Sequence, residues 1–294
     1  MRFTVPPPPL DLAEHFPDLL PHARSTTLLY PRAGAPSRQE SSLGGPLLWP
    51  ANEPWPMCSA SGHCAMAYGS AVVGPAPVAA VPVLQLFARD VPALIFPVGR
   101  DVLQVLWCPL VHDEGDQWCP VPMIRWRSSV ETAAEPLLDD APQPYEFDED
   151  FLPRACSVHP AETVEYPNWD MPQELSERVG RWSEEMEQTL GISYFDAFST
   201  SQSKVGGYPG WTQSPQWPDC ACGERMEHLV TVSASESCGR WLPVEERTGP
   251  GSGWDHGTAP EDNSHGMDMG DMGGVYIFVC RSCPGWPTAH RYDC

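Results

Sequence analysis

Lys204-Val205-Gly206-Gly207-Tyr208-Pro209-Gly210-Trp211, running on through Trp217-Pro218-Asp219-Cys220-Ala221-Cys222-Gly223, is the second copy of a pattern in this chain. The first copy is Leu43-Gly44-Gly45-Pro46-Leu47-Leu48-Trp49-Pro50, running on through Trp55-Pro56-Met57-Cys58. Gly44 and Gly206, Trp55 and Trp217, and Cys58 and Cys220 are each 162 residues apart, with no gap between them. In a chain with only 12 tryptophans this coincidence points to a duplicated unit. It predicts the architecture more firmly than it predicts a chemistry.

The sequence around each copy reads the same way. After the first Gly/Pro/Trp loop and a loop from 59 to 80, Val81-Pro82-Val83-Leu84-Gln85-Leu86-Phe87-Ala88 and Asp101-Val102-Leu103-Gln104-Val105-Leu106-Trp107-Cys108-Pro109 are rich in β-branched and aromatic residues and end at breakers. Both read as buried strands. Met123 to Arg127 alternates apolar and basic residues, a strand with one wet face. In the second copy, Glu227 to Ser233 and Gly274 to Cys280 stand in the corresponding places. The excursion between them, Cys238 to Asp271, is long, polar and glycine-rich.

The fold class expected is α+β, a duplicated and mainly antiparallel β unit with a few helices and zinc-ribbon-like cysteine turns. The expected organisation is an N-terminal extension with a short helix (1–42), a first sheet repeat (43–127), an acidic connector with a helix (128–203) and a second sheet repeat with a cysteine cluster (204–294), the repeats packing as one unit. Asp11 is placed to cap the short helix, which Pro17 and Pro21 break. Within the connector, Leu175, Val179, Trp182, Met186 and Leu190 step by helical intervals, so 171–190 reads as a helix with Pro172 in its first turn and its apolar stripe on a sheet. Residues 128–166, with acidic clusters at Asp139-Asp140 and Glu146 to Asp150, read as a solvated connector.

Charge excludes several functions. With 17 Lys and Arg against 39 Asp and Glu, the net charge is −22. Such a chain is repelled by phosphates and anionic lipid, which argues against nucleic-acid and membrane partners and leaves a basic protein as the expected one. Met1 to Leu10 carries four prolines where a secretory leader needs an apolar run, and no run approaches a membrane span. A cytoplasmic, reducing setting is expected, in which 11 cysteines act as metal ligands and buried thiols.

The strongest chemical pattern is Cys220-x-Cys222-Gly223 with Cys280-x-x-Cys283-Pro284, two turns beside strands whose thiolates can form a tetrahedral S₄ site. Structural zinc is the expected cofactor. Four reduced thiols at strand ends are the alternative. Because Cys-x-Cys is tight for a metal pair, His228, His290 or Cys294 could replace one thiol. In the first copy, Cys58, Cys64, Cys108, His63 and His112 raise a second metal site, against which Cys58 and Cys64 are loosely spaced; a degenerate site that has lost its metal is the more economical expectation. His256, His265, Met267, Met269 and Met272 suggest a copper-handling loop, with incidental spacing as the plainer reading. No serine-hydrolase elbow, phosphate loop, His-Glu-x-x-His or dinucleotide fingerprint occurs. Cys108 or Cys119 with His112 could pair as nucleophile and base, but no third residue marks the arrangement.

The Leu43 to Pro50 and Asp101 to Pro109 segments, together with Val205-Gly206-Gly207-Tyr208-Pro209 and its cysteine pair, resemble the YwqG-like family of bacterial proteins. His159-Pro160 and Glu165-Tyr166-Pro167 extend the likeness. The second half is also similar to the C-terminal region of programmed cell death protein 2 relatives. The resemblance implies an α+β protein with a duplicated sheet and, through the eukaryotic relatives, a chaperone or adaptor role for a ribosomal protein. Cys220-x-Cys222 departs from the Cys-x-x-Cys that the pattern would have. The leading expectation is a non-enzymatic cytoplasmic interaction or adaptor module, zinc-stabilised. Metal handling with zinc or copper is the alternative, and an enzyme of unknown reaction is third.

Overall fold

The computed structural model describes residues 3–60, 63–64, 76–114, 117–236, 239–247, 263–270 and 272–294. The α+β expectation holds, with two six-stranded antiparallel sheets. One runs β11 (Pro122–Arg127), β8 (Val102–Trp107), β7 (Val81–Phe87), β3 (Ser42–Leu43), β12 (Cys156–Ser157) and β2 (Arg32–Ala33). The other runs β17 (Thr288–Asp293), β16 (Gly274–Val279), β15 (Glu227–Ser233), β14 (Lys204–Gly206), β1 (Arg24–Leu28) and β13 (Ala161–Glu165). Short hairpin partners complete the first half: β4 (Met57–Cys58) with β6 (Val78–Ala79), and β5 (His63–Cys64) with β9 (Val111–Glu114) and β10 (Gln117–Cys119).

The four-strand cores of the sheets, β3-β7-β8-β11 and β14-β15-β16-β17, follow one order. Each long central pair even slips register at the same place, between Pro82 and Leu84 in β7 and between His228 and Val230 in β15. β8 and β16 are buried along their whole length, so both faces of each sheet are covered. Between the sheets, Leu84, Val105 and Trp107 share one apolar core with Leu229, Val232, Val275 and Ile277. On the outer faces the tryptophan loops close the stack. Trp49 and Trp55, 4.8 Å apart, cover Leu106, and Trp211 and Trp217, 6.0 Å apart, cover Phe278. Fully burying such side chains contributes about 2–3 kcal/mol each, which explains why the loops hold without regular structure of their own.

The outer strands are exchanged. β1 leaves the second sheet at Leu28, and the chain passes through Tyr30, at φ +44°, to β2 at the edge of the first. In return β12 sits inside the first sheet, next to β3, and β13 edges the second. The segment 128–166, read from sequence as a solvated connector, therefore supplies a strand to each sheet. Its Cys156 and Ala161 are buried despite the charge around them. Because each sheet borrows from the other's lead-in, the two should unfold together: one coincident transition in denaturant by tryptophan fluorescence and far-UV circular dichroism is expected.

α1 (Leu12–His15) starts at Asp11, whose carboxylate accepts the Ala13 N–H as its cap. α2 (Ser129–Ala133) is capped by Ser128. α3 (Gln173–Leu190) follows Pro172 and ends at Gly191, whose φ of +70° a side chain would resist. Its stripe does not pack on a sheet. Leu175, Val179 and Met186 instead meet Leu12, Phe16, Leu19 and the aromatic residues of α4 (Tyr194–Phe198) in a separate helical core. The expectation missed this because Tyr194 and Phe198 lie in a helix too short to show a period. Leu190 is left exposed.

Lys204, the single lysine of the chain, is fully buried. Its Nζ donates to Glu165 Oε2 at 2.7 Å and to the Thr200 carbonyl. Glu165 Oε1 accepts the Tyr208 N–H at 2.7 Å. Gly207, at φ +66°, makes room for this carboxylate, since a Cβ there would lie 1.9 Å from Oε1. Amine-reactive labelling should leave Lys204 unmodified until the chain unfolds, which peptide mass spectrometry across a urea series would read.

Candidate metal centres

Cys220 and Cys222 lie on a tight turn after the Trp217 loop. The Gly223 N–H donates to the Cys220 carbonyl at 2.8 Å, the Cys220 N–H donates to that of Glu224 at 2.8 Å, and Gly223 sits at φ +89°. Cys280 and Cys283 lie on the turn between β16 and β17. There the Cys280 N–H donates to the Pro287 carbonyl at 2.9 Å, and the Trp286 N–H to that of Cys283 at 3.2 Å. The two turns face each other, with Cys220 Sγ 3.7 Å from Cys283 Sγ and Cys222 Sγ 3.7 Å from Cys280 Sγ. The four sulfurs all lie within 4.8 Å of one another. Disulfides need about 2.05 Å, so these are not bonded pairs. Zinc–thiolate bonds of about 2.3 Å give a tetrahedron with edges of about 3.8 Å, the spacing seen here.

The same corner of the first sheet carries Cys58, His63, Cys108 and His112, all buried, with their ligand atoms again within 4.8 Å. Cys58 comes from β4, Cys108 from the residue after β8, and His63 and His112 are partners across β5 and β9. Cys58 Sγ is 3.7 Å from both His63 Nδ1 and His112 Nε2, and Cys108 Sγ is 3.7 Å from His63 Nδ1. A zinc tetrahedron of mixed S and N ligands has S···N edges of about 3.6 Å. A full Cys₂His₂ ligand set converges here, able to hold a metal where the sequence favours a degenerate site. Cys64 lies on β5 with its side chain outside the described residues. The sequence names all four residues, and Cys58 and Cys108 stand where Cys220 and Cys280 stand in the other copy, but the meeting of His63 with His112 is set by strand register and not by spacing.

The thiols cannot all ionise unaided. Hydrogen bonding from Cys108 pulls the Cys58 thiol down to about 3, while the same contact and burial push Cys108 up. In the other cluster the Cys222 backbone N–H brings Cys220 down to about 7, and hydrogen bonds to Cys222 and Cys220 raise Cys283 to about 12. A cation is what lets every thiol serve as a thiolate.

The substitute ligands considered for the Cys₄ cluster lie elsewhere. His228 is buried in β15, its Nδ1–H donating to the Gly206 carbonyl at 2.8 Å and its Nε2 2.9 Å from the Thr231 hydroxyl. His290 is on β17, and Cys294 is exposed. Burial holds the His228 imidazole neutral, with its pKa pushed down to about 3 and the Lys204 charge adding to the effect. The unfolded chain takes up this proton near pH 6.5. The stability linked to neutral His228 is thus complete above about pH 6.5 and is lost as pH falls toward 3. Urea midpoints should decline less between pH 6.5 and 4 in His228→Gln than in the wild type.

The methionines proposed for copper do not form an open loop. Met267 and Met269 are buried in the inter-sheet core, Met272 is exposed, and His256 lies outside the described residues. His265 is buried, its Nδ1 accepting the Met267 N–H at 3.2 Å. Among the described residues, no helix is long and apolar enough to cross a membrane. Neither the protein-family models nor the curated proteins compared with the chain match it.

Proposed function

We propose that this chain is a non-enzymatic protein-interaction module whose two sheets are each pinned at one corner by a zinc ion, bound by Cys220, Cys222, Cys280 and Cys283 in one and by Cys58, His63, Cys108 and His112 in the other. The observation that carries the reading is the pair of tetrahedral ligand sets, four atoms within 4.8 Å at the same corner of two sheets with one strand order. A closed set of four protein ligands leaves no position for water or substrate, which is the mark of structural rather than catalytic zinc. The likeness of the Gly/Trp corners to the YwqG-like family and to programmed cell death protein 2 relatives supports an adaptor role. So does the 131–150 segment, which carries exposed Glu131, Glu135, Asp139, Asp140, Glu146 and Glu149 along with exposed Tyr145 and Phe147. Acidic groups around aromatic anchors suit a basic protein partner.

Cobalt substitution tests the zinc reading. Thiolate-to-cobalt charge-transfer absorption should reflect six thiolates per chain, four from one site and two from the other. Cys58→Ser with Cys108→Ser should remove the smaller share and leave the S₄ spectrum. A single spectral species untouched by that pair of changes would contradict the second site. The partner reading is tested by affinity capture across a salt series. Retention should weaken steeply as salt rises and be lost when Asp139, Asp140, Glu146 and Glu149 become amides, while salt-independent retention would count against it.

A further inference from the structure

A cavity of about 600 Å³ opens between the sheets at the Gly206-Gly207 corner. Its size falls within the range of small-molecule sites.

The open corner collects positive charge in a chain whose net charge is −22. Three of the 16 arginines line it, Arg24, Arg225 and Arg281, against two carboxylates, Asp170 and Glu227. Arg281 is paired with Glu227, and Arg225 stands 3.8 Å from Asp170 while stacking 4.5 Å from the Trp217 ring. Arg24 makes no ion pair among the described residues. Its guanidinium carbon lies over Tyr208, 4.1 Å from the ring centroid, with one long contact of 3.4 Å to the Gly207 carbonyl. A guanidinium with no carboxylate partner can receive an oxyanion in a forked contact. Asp170 Oδ1 accepts the Trp217 indole N–H, and the carboxylate also faces the Trp211 indole, so its oxygens are turned to the protein. Leu94 and Ile95, reaching over from the first half, supply an apolar wall.

We infer that this cavity is a binding site for a small organic oxyanion, a phosphate or carboxylate, with Arg24 and Arg225 receiving the anionic end. The inference stands apart from the zinc and partner readings, since none of these residues is a metal ligand or belongs to the acidic segment.

Calorimetric titration of the full chain with glucose 6-phosphate and with gluconate, at matched ionic strength in chloride, tests it. One of the two is expected to bind saturably at one site per chain, and which one does so identifies the oxyanion as phosphate or carboxylate. Arg24→Glu and Arg225→Glu should each weaken that binding by at least about tenfold. Ile95→Trp, which fills the cavity without changing its charge, should do the same. Arg100→Glu, an exposed change outside the cavity, should leave it unaltered. Thermal melts of the ligand-free variants check that each is folded. Failure of both compounds to saturate overturns the inference, as does equal binding by wild type and the folded cavity variants.

Discussion

Replacing Cys280 and Cys283 together by serine is expected to release one metal ion and to lower the melting temperature by on the order of 10–20 °C, since structural zinc supplies folding free energy directly. The argument is geometric. These cysteines sit on the turn that joins β16 to β17, and Cys220 and Cys222 sit on the turn that leads to β15. An ion there would tie the lead-in of β15 to the β16–β17 turn beside Trp211 and Phe278. Without it, the Cys220 turn keeps its own hydrogen bonds and the packing of Cys220 on that aromatic cluster, and loses its link through Cys222 and Cys283. The matching change His63→Ala with His112→Ala should release the other ion and leave the S₄ site filled. A double serine variant that keeps its full metal content and melts like the wild type would show the four thiols to be packing residues only.

Lys204→Met is expected to destabilise the fold by about 3–5 kcal/mol, the cost of leaving a buried partner charge uncompensated. Burial pushes the Glu165 carboxyl up, and Lys204 is the principal group pulling it down. In the variant burial is opposed only by the backbone hydrogen bonds at Tyr208 and Thr200, so folded Glu165 holds its proton to a higher pH than unfolded Glu165. The folded state then binds more protons than the unfolded one between those two values. The Glu165-linked part of the variant's stability should accordingly be greatest in acid and fall as pH rises through the folded pKa. Adding Glu165→Gln should recover part of the loss and abolish that pH dependence, as chemical denaturation from pH 4 to 8 would show. A double variant no more stable than Lys204→Met, with the slope unchanged, would contradict this account of the pair.

The long apolar strands were legible because their composition is local. β7, β8, β15 and β16 each carry enough β-branched and aromatic side chains to mark a fully buried strand. The exchanged strands were not. β1 reads Arg24-Ser25-Thr26-Thr27-Leu28, and β13 is rich in Glu and Thr, so neither advertises burial, yet Thr26, Thr27 and Glu165 are sealed inside by partners distant in sequence. β17 carries a run of half-buried residues along a sheet edge and shows no period of two in its burial. The Cys₄ candidates could be named from two close pairs on turns. The Cys₂His₂ set needed β5 to fold across β9, which brings His63 to His112 over a separation that motif spacing does not encode. The arginine-lined cavity was invisible for the same reason, since Arg24, Arg225 and Arg281 share no segment and meet only because β1 has crossed into the second sheet.

Elemental analysis of the native, untagged protein bears most directly on the paired-corner reading. Two zinc ions per chain are expected, falling to one in Cys280→Ser, Cys283→Ser and to one in His63→Ala, His112→Ala, with loss of thermal stability in each. Protein that is folded and fully reduced yet carries no stoichiometric metal would contradict it.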